Sequence, residues 1–132
     1  MTGLPRSMWP VRRERSCRWP GDGFLAQPLS SRTHGITIER PRQAVWPWLV
    51  QMGAGRAGWY GFDFIDNGGQ PSAKHILPEL QHVKVGDLFP ALPGVKEGFT
   101  VLSVHPERRL VLGWLSPGER RPVITCAYVL WP

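Results

Sequence analysis

The sequence has little cysteine and no long hydrophobic run. Cys17 and Cys126 are its two cysteines, and neither belongs to a CxxC pair or a zinc-ligand spacing, so we interpret both as free thiols. No apolar stretch approaches the roughly 18–20 residues that cross a bilayer. The first 20 residues lack the apolar core of a secretory signal. These absences predict a cytoplasmic protein with no membrane span, no disulfide and no metal site.

The positive charge is concentrated at the start of the chain. Residues 1–20 contain five arginines and one acidic residue, whereas the remaining 112 residues carry 11 basic and 9 acidic groups. A protein that reads nucleic acid usually carries its basic stripe on the folded body, so this distribution argues against nucleic acid. We expect residues 1–20 to form a basic, disordered extension; contact with an anionic surface is the alternative.

Hydrophobic periodicity predicts an α+β protein. Residues 34–39 alternate apolar and polar side chains and predict a first strand. From Pro41 to about Met52 the apolar spacing is helical, with Pro47 inside the helix. Short turns between the later strands predict an antiparallel meander. Short helices are predicted over 59–66 and 72–77, and strands over 83–91, 98–105, 110–115 and 123–131.

The predicted helix contains the string Trp46–Pro47–Trp48–Leu49–Val50–Gln51–Met52–Gly53. Together with Ile36–Thr37–Ile38 before it and Val85–Gly86–Asp87 after it, this string makes residues 21–132 resemble the START-related helix-grip domains of the SRPBCC superfamily, the polyketide cyclase/dehydrase-like proteins. The resemblance implies a curved antiparallel sheet that grips a long C-terminal helix, with an apolar cavity between them. The last strands and that helix have no counterpart here, so the resemblance is to a truncated, incomplete helix-grip fold.

Aromatic residues are the most informative candidates for binding. The chain has seven tryptophans, and Trp and Tyr are common in pocket walls because each joins an apolar body to a polar tip. Plain core packing is the competing explanation for any one of them. Arg56 follows the helix and is suited to an anionic or carbonyl group, and Tyr128 is expected to share a strand face with Cys126. The predicted ligand-binding residues are Trp46, Arg56, Trp59, Tyr60, Phe62, Asp63 and Tyr128.

Other motifs have simpler structural explanations. Residues 53–58 match GxGxxG, but a helix precedes them where a dinucleotide site needs a strand, so tight turns are favoured. His75, Glu79 and His82 have helical spacing for a metal site, but Pro78 interrupts them. Asp63 and Asp66 form a candidate acid–base pair, with solvated capping as the alternative. No cofactor or metal is therefore predicted.

Three functions remain open at the level of sequence. The first is binding of a hydrophobic or aromatic small molecule in a cavity between sheet and helices. The second is a polyketide cyclase/aromatase-like enzyme, in which polar groups in the same cavity move protons. The third is a truncated remnant without function. The oligomeric state is left open.

Overall fold

The computed structural model describes residues 10–132, and its centre is a four-stranded antiparallel sheet. The strands are consecutive neighbours in the order β1-β2-β3-β4. This arrangement confirms the predicted α+β class and the meander. The strands are β1 (Leu88–Pro90), β2 (Gly98–His105), β3 (Arg109–Trp114) and β4 (Ile124–Val129). The helices are α1 (Arg12–Ser16), α2 (Arg42–Val50) and α3 (Asp63–Asp66), with 3-10 turns at Asp22–Phe24 and Pro78–Leu80.

Helix α2 lies where the apolar spacing predicts it. Pro41 is its N-cap residue, and Pro47 lies inside it. Trp46 and Val50, four residues apart, are both buried, as expected for side chains on one face of a helix. The helix therefore lays its apolar face on the sheet.

The buried core lies between α2 and one face of the sheet. It combines side chains of the helix with alternate residues of the strands, such as Leu110 and Leu112 on β3. Phe89 on β1 is fully buried at its centre. The buried members of this core are Trp46, Val50, Met52, Phe89, Val101, Leu110 and Leu112.

The opposite face of the sheet is covered by an irregular segment, residues 19–24. Val111 on this face is fully buried, and a Cβ atom placed on Gly21 would lie 3.4 Å from its Cγ1. The register between β2 and β3 shifts between Val101 and Ser103, so Leu102 is an extra residue in β2. We call residues 19–24 the roof of this face.

Residues 34–39 do not form the predicted strand. Ile36 and Ile38 are exposed by 59% and 49%. Alternation stabilises a strand only where another strand pairs with it and the apolar side is buried, and no strand among residues 10–132 pairs with this segment. The prediction was therefore wrong.

Two predicted helices are shorter than expected or displaced. Within 59–66 only α3 is helical, because Tyr60 has a left-handed backbone with φ of 57° and such a residue cannot continue a helix. Residues 72–77 contain no helix, and the helical turn begins instead at Pro78.

The predicted N-terminal extension is described from Pro10 onward. Its residues 1–9 lie outside the described part of the chain. The remainder includes α1 and Trp19, whose ring meets the edge of the Trp131 ring at 5.9 Å. This part of the extension therefore contacts the segment that follows β4.

Candidate functional site

An open groove lies where α3 meets the ends of β1 and β2. Its lining residues are Trp59, Asp66, Ala91 and Phe99, and its volume is about 340 Å³. An engineered cavity of about 150 Å³ in another protein holds benzene, so this volume suits a larger aromatic molecule. We call it the aromatic groove.

A glycine-rich turn positions Trp59 at the groove. Gly53 and Gly58 exchange backbone hydrogen bonds of 3.2 and 2.9 Å, and both have positive φ angles, 120° and 89°. Side chains other than glycine rarely adopt such angles. The GxGxxG string thus closes a turn between α2 and Trp59, as the structural explanation of the motif predicted.

The Trp59 ring is held by a hydrogen bond and by contact with another aromatic ring. Its Nε1–H donates to the Pro90 carbonyl oxygen at 3.0 Å. Its ring meets the Phe99 ring edge to face at 5.8 Å, and Phe99 in turn meets Trp114 at 5.4 Å. Such aromatic pairs add roughly 0.5–1.5 kcal/mol beyond their burial. Two rings, Trp59 and Phe99, therefore line the groove, and Trp114 packs against Phe99.

A polar clamp behind the groove fixes α3. Asn67 is buried, and its Oδ1 accepts the backbone N–H of Trp59 at 2.9 Å. Its Nδ2 donates to Asp63 Oδ1 and to Ser72 Oγ. The Ser72 hydroxyl also donates to Asp63 Oδ1 at 2.7 Å. These bonds, the one from the Ser72 hydroxyl above all, hold the pKa of Asp63 below its usual value.

Asp63 therefore acts as a structural acceptor in the clamp. Its side chain is half-buried and stays ionised, because the donors around it stabilise the carboxylate. It does not line the groove, whereas Asp66 does. Asp66 Oδ2 accepts the Phe62 backbone N–H at 2.9 Å, which leaves a carboxylate at the rim of the groove.

Arg56 points away from the groove and caps α2. Its Nε donates to the Met52 carbonyl at 2.8 Å and its Nη2 to the Val50 carbonyl at 2.7 Å. The Val50 carbonyl is one of those that a helix leaves without internal partners at its C-terminus, and Met52 lies just beyond the helix end. The guanidinium also lies over the Phe89 ring at 4.5 Å, and burial lowers its pKa although Asp87 opposes this. The Arg56 side chain thus contacts the end of α2 and the buried Phe89 ring.

Tyr60 is tied to α2 through a buried amide. Gln51 is fully buried, and its Nε2 donates to the Tyr60 hydroxyl at 2.7 Å and to the His75 carbonyl at 3.1 Å. Its Oε1 accepts the Leu77 N–H at 2.9 Å. These bonds fasten the loop after α3 to the end of α2 and place Tyr60 beside Trp48.

The structure brings only part of the predicted binding set together. Trp46 belongs to the buried core, and Phe62 is 79% exposed at the start of α3. Tyr128 packs against the core on β4, where burial and the neighbouring Cys126 raise its pKa. That contact fits the expected shared face. Of the seven predicted residues, Trp59 lines the groove.

Sequence reasoning missed Phe99 and Ala91, which line the groove from β2 and from the residue after β1. The available signal was register: in an antiparallel pair with β3, Phe99 lies opposite Trp114, and aromatic residues placed this way interact across strands. That inference requires strand pairings that the sequence leaves open.

The described residues offer no alternative site based on metal. Within residues 10–132, no group of three or more His, Cys, Asp or Glu side chains is placed to hold a metal ion. His75, Glu79 and His82 lie in a loop and a 3-10 turn. None of the helices in this part of the chain has the length and apolar character to span a membrane.

Comparisons of the chain with protein-family models, with curated proteins and with solved structures found no match. The resemblance to helix-grip domains therefore stays a prediction, and the functional argument depends on the groove itself.

Proposed function

We propose that this chain binds a hydrophobic or aromatic small molecule in the aromatic groove. The observation that carries the proposal is the packed pair of rings, Trp59 and Phe99, that lines a groove of about 340 Å³, with Trp114 packed against Phe99. Binding sites are typically concave and lined with aromatic side chains that are already in place. The groove is thus the proposed counterpart of the cavity that the resemblance implies.

The rim favours a ligand without negative charge. Asp66 is the charged residue among the four that line the groove, and its carboxylate would repel another anion. The polar group of the Trp59 ring is already engaged, since its Nε1–H donates to the Pro90 carbonyl oxygen. An uncharged ring system therefore suits the groove better than an aromatic carboxylate.

The proposed setting is the cytoplasm, and the free thiols support it. Cys17 and Cys126 are both unpaired, which is usual where thiols stay reduced.

The cyclase-like alternative needs a proton-transfer group that faces the ligand. Asp66 lines the groove, as such a group must. Asp63 instead is held as a carboxylate within the clamp. The Asp66 carboxylate at the rim orients the ligand and selects against negative charge. Catalysis would need further proton-transfer groups, whereas binding does not.

The proposal is tested by calorimetric titration with 2-naphthol, an uncharged two-ring probe. Replacing Ala91 by Phe fills the groove, so Ala91→Phe should weaken binding at least tenfold. The matched control is Ala26→Phe, which adds the same side chain at an exposed position outside the groove. Equal affinity of Ala91→Phe and the unmodified chain, or no binding of 2-naphthol at all, would overturn the proposal.

A further inference from the structure

The second face of the sheet holds another pocket, beneath the roof. Its volume is about 230 Å³, and it is lined by Trp19, Pro20, Gly21, Gly23, Phe24, Ser103 and Arg109. We call it the roof pocket. It is formed by different elements from the aromatic groove, and no residue lines both.

Arg109 lines this pocket and has unused hydrogen-bonding capacity. Its Nη2 lies 2.7 Å from His105 Nε2, and since a guanidinium only donates, the imidazole nitrogen accepts. Its Nε–H is buried and has no hydrogen-bond partner among residues 10–132. A buried donor without an acceptor costs free energy, more so when the group is charged.

Arg109 also lacks an acidic partner in the described part of the chain. The ion pair found within residues 10–132 joins Lys84 to Asp87, which precede β1 in the sequence. Asp22, in the roof, accepts the Trp19 backbone N–H at 2.7 Å instead. A half-buried cation with neither counter-charge nor acceptor for Nε is suited to an anion from outside the chain.

We propose that the roof pocket binds a small aromatic carboxylate, with Arg109 as its anchor. A carboxylate matches the planar fork of a guanidinium and accepts from two of its nitrogens at once. Trp19 and Phe24 are aromatic residues in the same lining, and Ser103 is a hydroxyl residue there. A volume of about 230 Å³ holds one substituted ring, given that a cavity of about 150 Å³ accepts benzene.

The roof rearranges locally when the ligand binds. Because Nε is buried, the ligand reaches it only when roof residues shift. Phe24 is 40% exposed and belongs to a single 3-10 turn, so this movement disturbs little buried structure. Binding thus converts a buried donor without a partner into a charge-assisted hydrogen bond.

The test is a titration of the chain with benzoate, followed by backbone amide resonances in two-dimensional NMR. We expect saturable shifts at Trp19, residues 21–24, Ser103 and Arg109, and at least tenfold weaker binding of benzyl alcohol, which has the ring without the charge. Arg109→Gln should weaken benzoate binding at least tenfold, and Arg109→Lys should also weaken it because the fork is lost. Arg108→Gln is the matched control, since its exposed side chain does not line the pocket.

Phe24→Ala gives an independent reading if Arg109→Gln fails to fold. It should weaken benzoate at least threefold while leaving the protein folded. Shifts confined to Trp59, Ala91 and Phe99, or equal affinity for benzoate and benzyl alcohol, would overturn the proposal. Binding of 2-naphthol at the aromatic groove is a separate result and does not change either outcome.

Discussion

The two faces of the sheet are covered in different ways. Helix α2 covers one face with a contiguous buried cluster in which Phe89, Leu110 and Leu112 have essentially no exposure. Residues 19–24 cover the other as an irregular roof, with Gly21 against Val111. The first face gains stability from packing, whereas the second leaves a pocket with an incompletely bonded arginine. The two faces thus differ in how completely they are packed.

The two pockets differ in charge as well. The aromatic groove has the Asp66 carboxylate at its rim, and the roof pocket has the Arg109 guanidinium in its lining. The two openings should therefore select ligands of different charge. The predictions below test this contrast and the contrast in stability.

The largest expected effect is at the centre of the α2 face. Phe89→Ala should lower the free energy of unfolding by about 3–5 kcal/mol, because a fully buried ring leaves a cavity and Arg56 loses its stacking partner. Phe24→Ala in the roof, already 40% exposed, should cost less than about 1 kcal/mol. Urea unfolding followed by circular dichroism measures both. Equal losses for the two variants would contradict the contrast between the faces.

The next effect compares two glycines. A Cβ on Gly98 would collide with the Phe89 carbonyl oxygen and with the Pro90 backbone, so Gly98→Ala should destabilise the protein by about 1–3 kcal/mol. A Cβ on Gly21 would make ordinary contacts of 3.4 and 3.6 Å with Val111 and Ala127. Gly21→Ala should therefore change stability by only about 0.5 kcal/mol. Thermal unfolding of both variants checks the order, and a larger loss for Gly21→Ala would show that the roof is packed more tightly than described.

A smaller effect concerns alkaline pH. Burial raises the pKa of Tyr128 above its ordinary value of about 10. The native state keeps the phenol proton at pH values where the unfolded chain loses it, so this stabilisation is complete below pH 10 and declines as the pH rises further. Tyr128→Phe should remove that part of the decline. If the stability of Tyr128→Phe declines at alkaline pH as steeply as that of the unmodified chain, burial does not hold the phenol proton.

The smallest effect concerns the clamp behind the groove. Because the hydrogen bond from Ser72 is the main cause of the lowered pKa of Asp63, Ser72→Ala should raise that pKa toward its ordinary value. A depressed carboxyl pKa stabilises the native state above the unfolded pKa of about 4, and this is lost as the pH falls through the native value. Carbon-13 NMR titration of the Asp63 carboxyl measures the shift. Ser103→Ala, in the roof pocket, is the matched control and should leave Asp63 unmoved.

The sequence predicted those elements whose pattern depends on near neighbours. Strand β2 spans Gly98–His105, as alternation and the following turn predict, and α2 follows its apolar spacing. Residues 34–39 have the same alternation as a strand and remain unpaired. The pattern alone does not supply a partner strand, and here tertiary structure provides none within the described residues.

The candidate site was less predictable because it depends on contacts distant in sequence. Trp59 was identified from its place after a glycine turn, but Phe99, the other ring that lines the groove, lies 40 residues later on β2. Arg56 was predicted to contact a ligand, whereas its guanidinium donates to the carbonyl oxygens of Val50 and Met52. An arginine a few residues after a helix is a known cap, and that local signal would have given the correct role.

The most direct test of the proposed function is a proton–nitrogen NMR spectrum of the tryptophan indoles during titration with 2-naphthol. Single Trp→Phe variants assign the resonances. We expect the Trp59 indole N–H to shift in a saturable manner, because Trp59 lines the groove. The Trp19 indole, which donates to the Glu14 carbonyl oxygen on the other face of the sheet, should stay unchanged. No shift at Trp59, or equal shifts at Trp59 and Trp19, would contradict the assignment of aromatic binding to this groove.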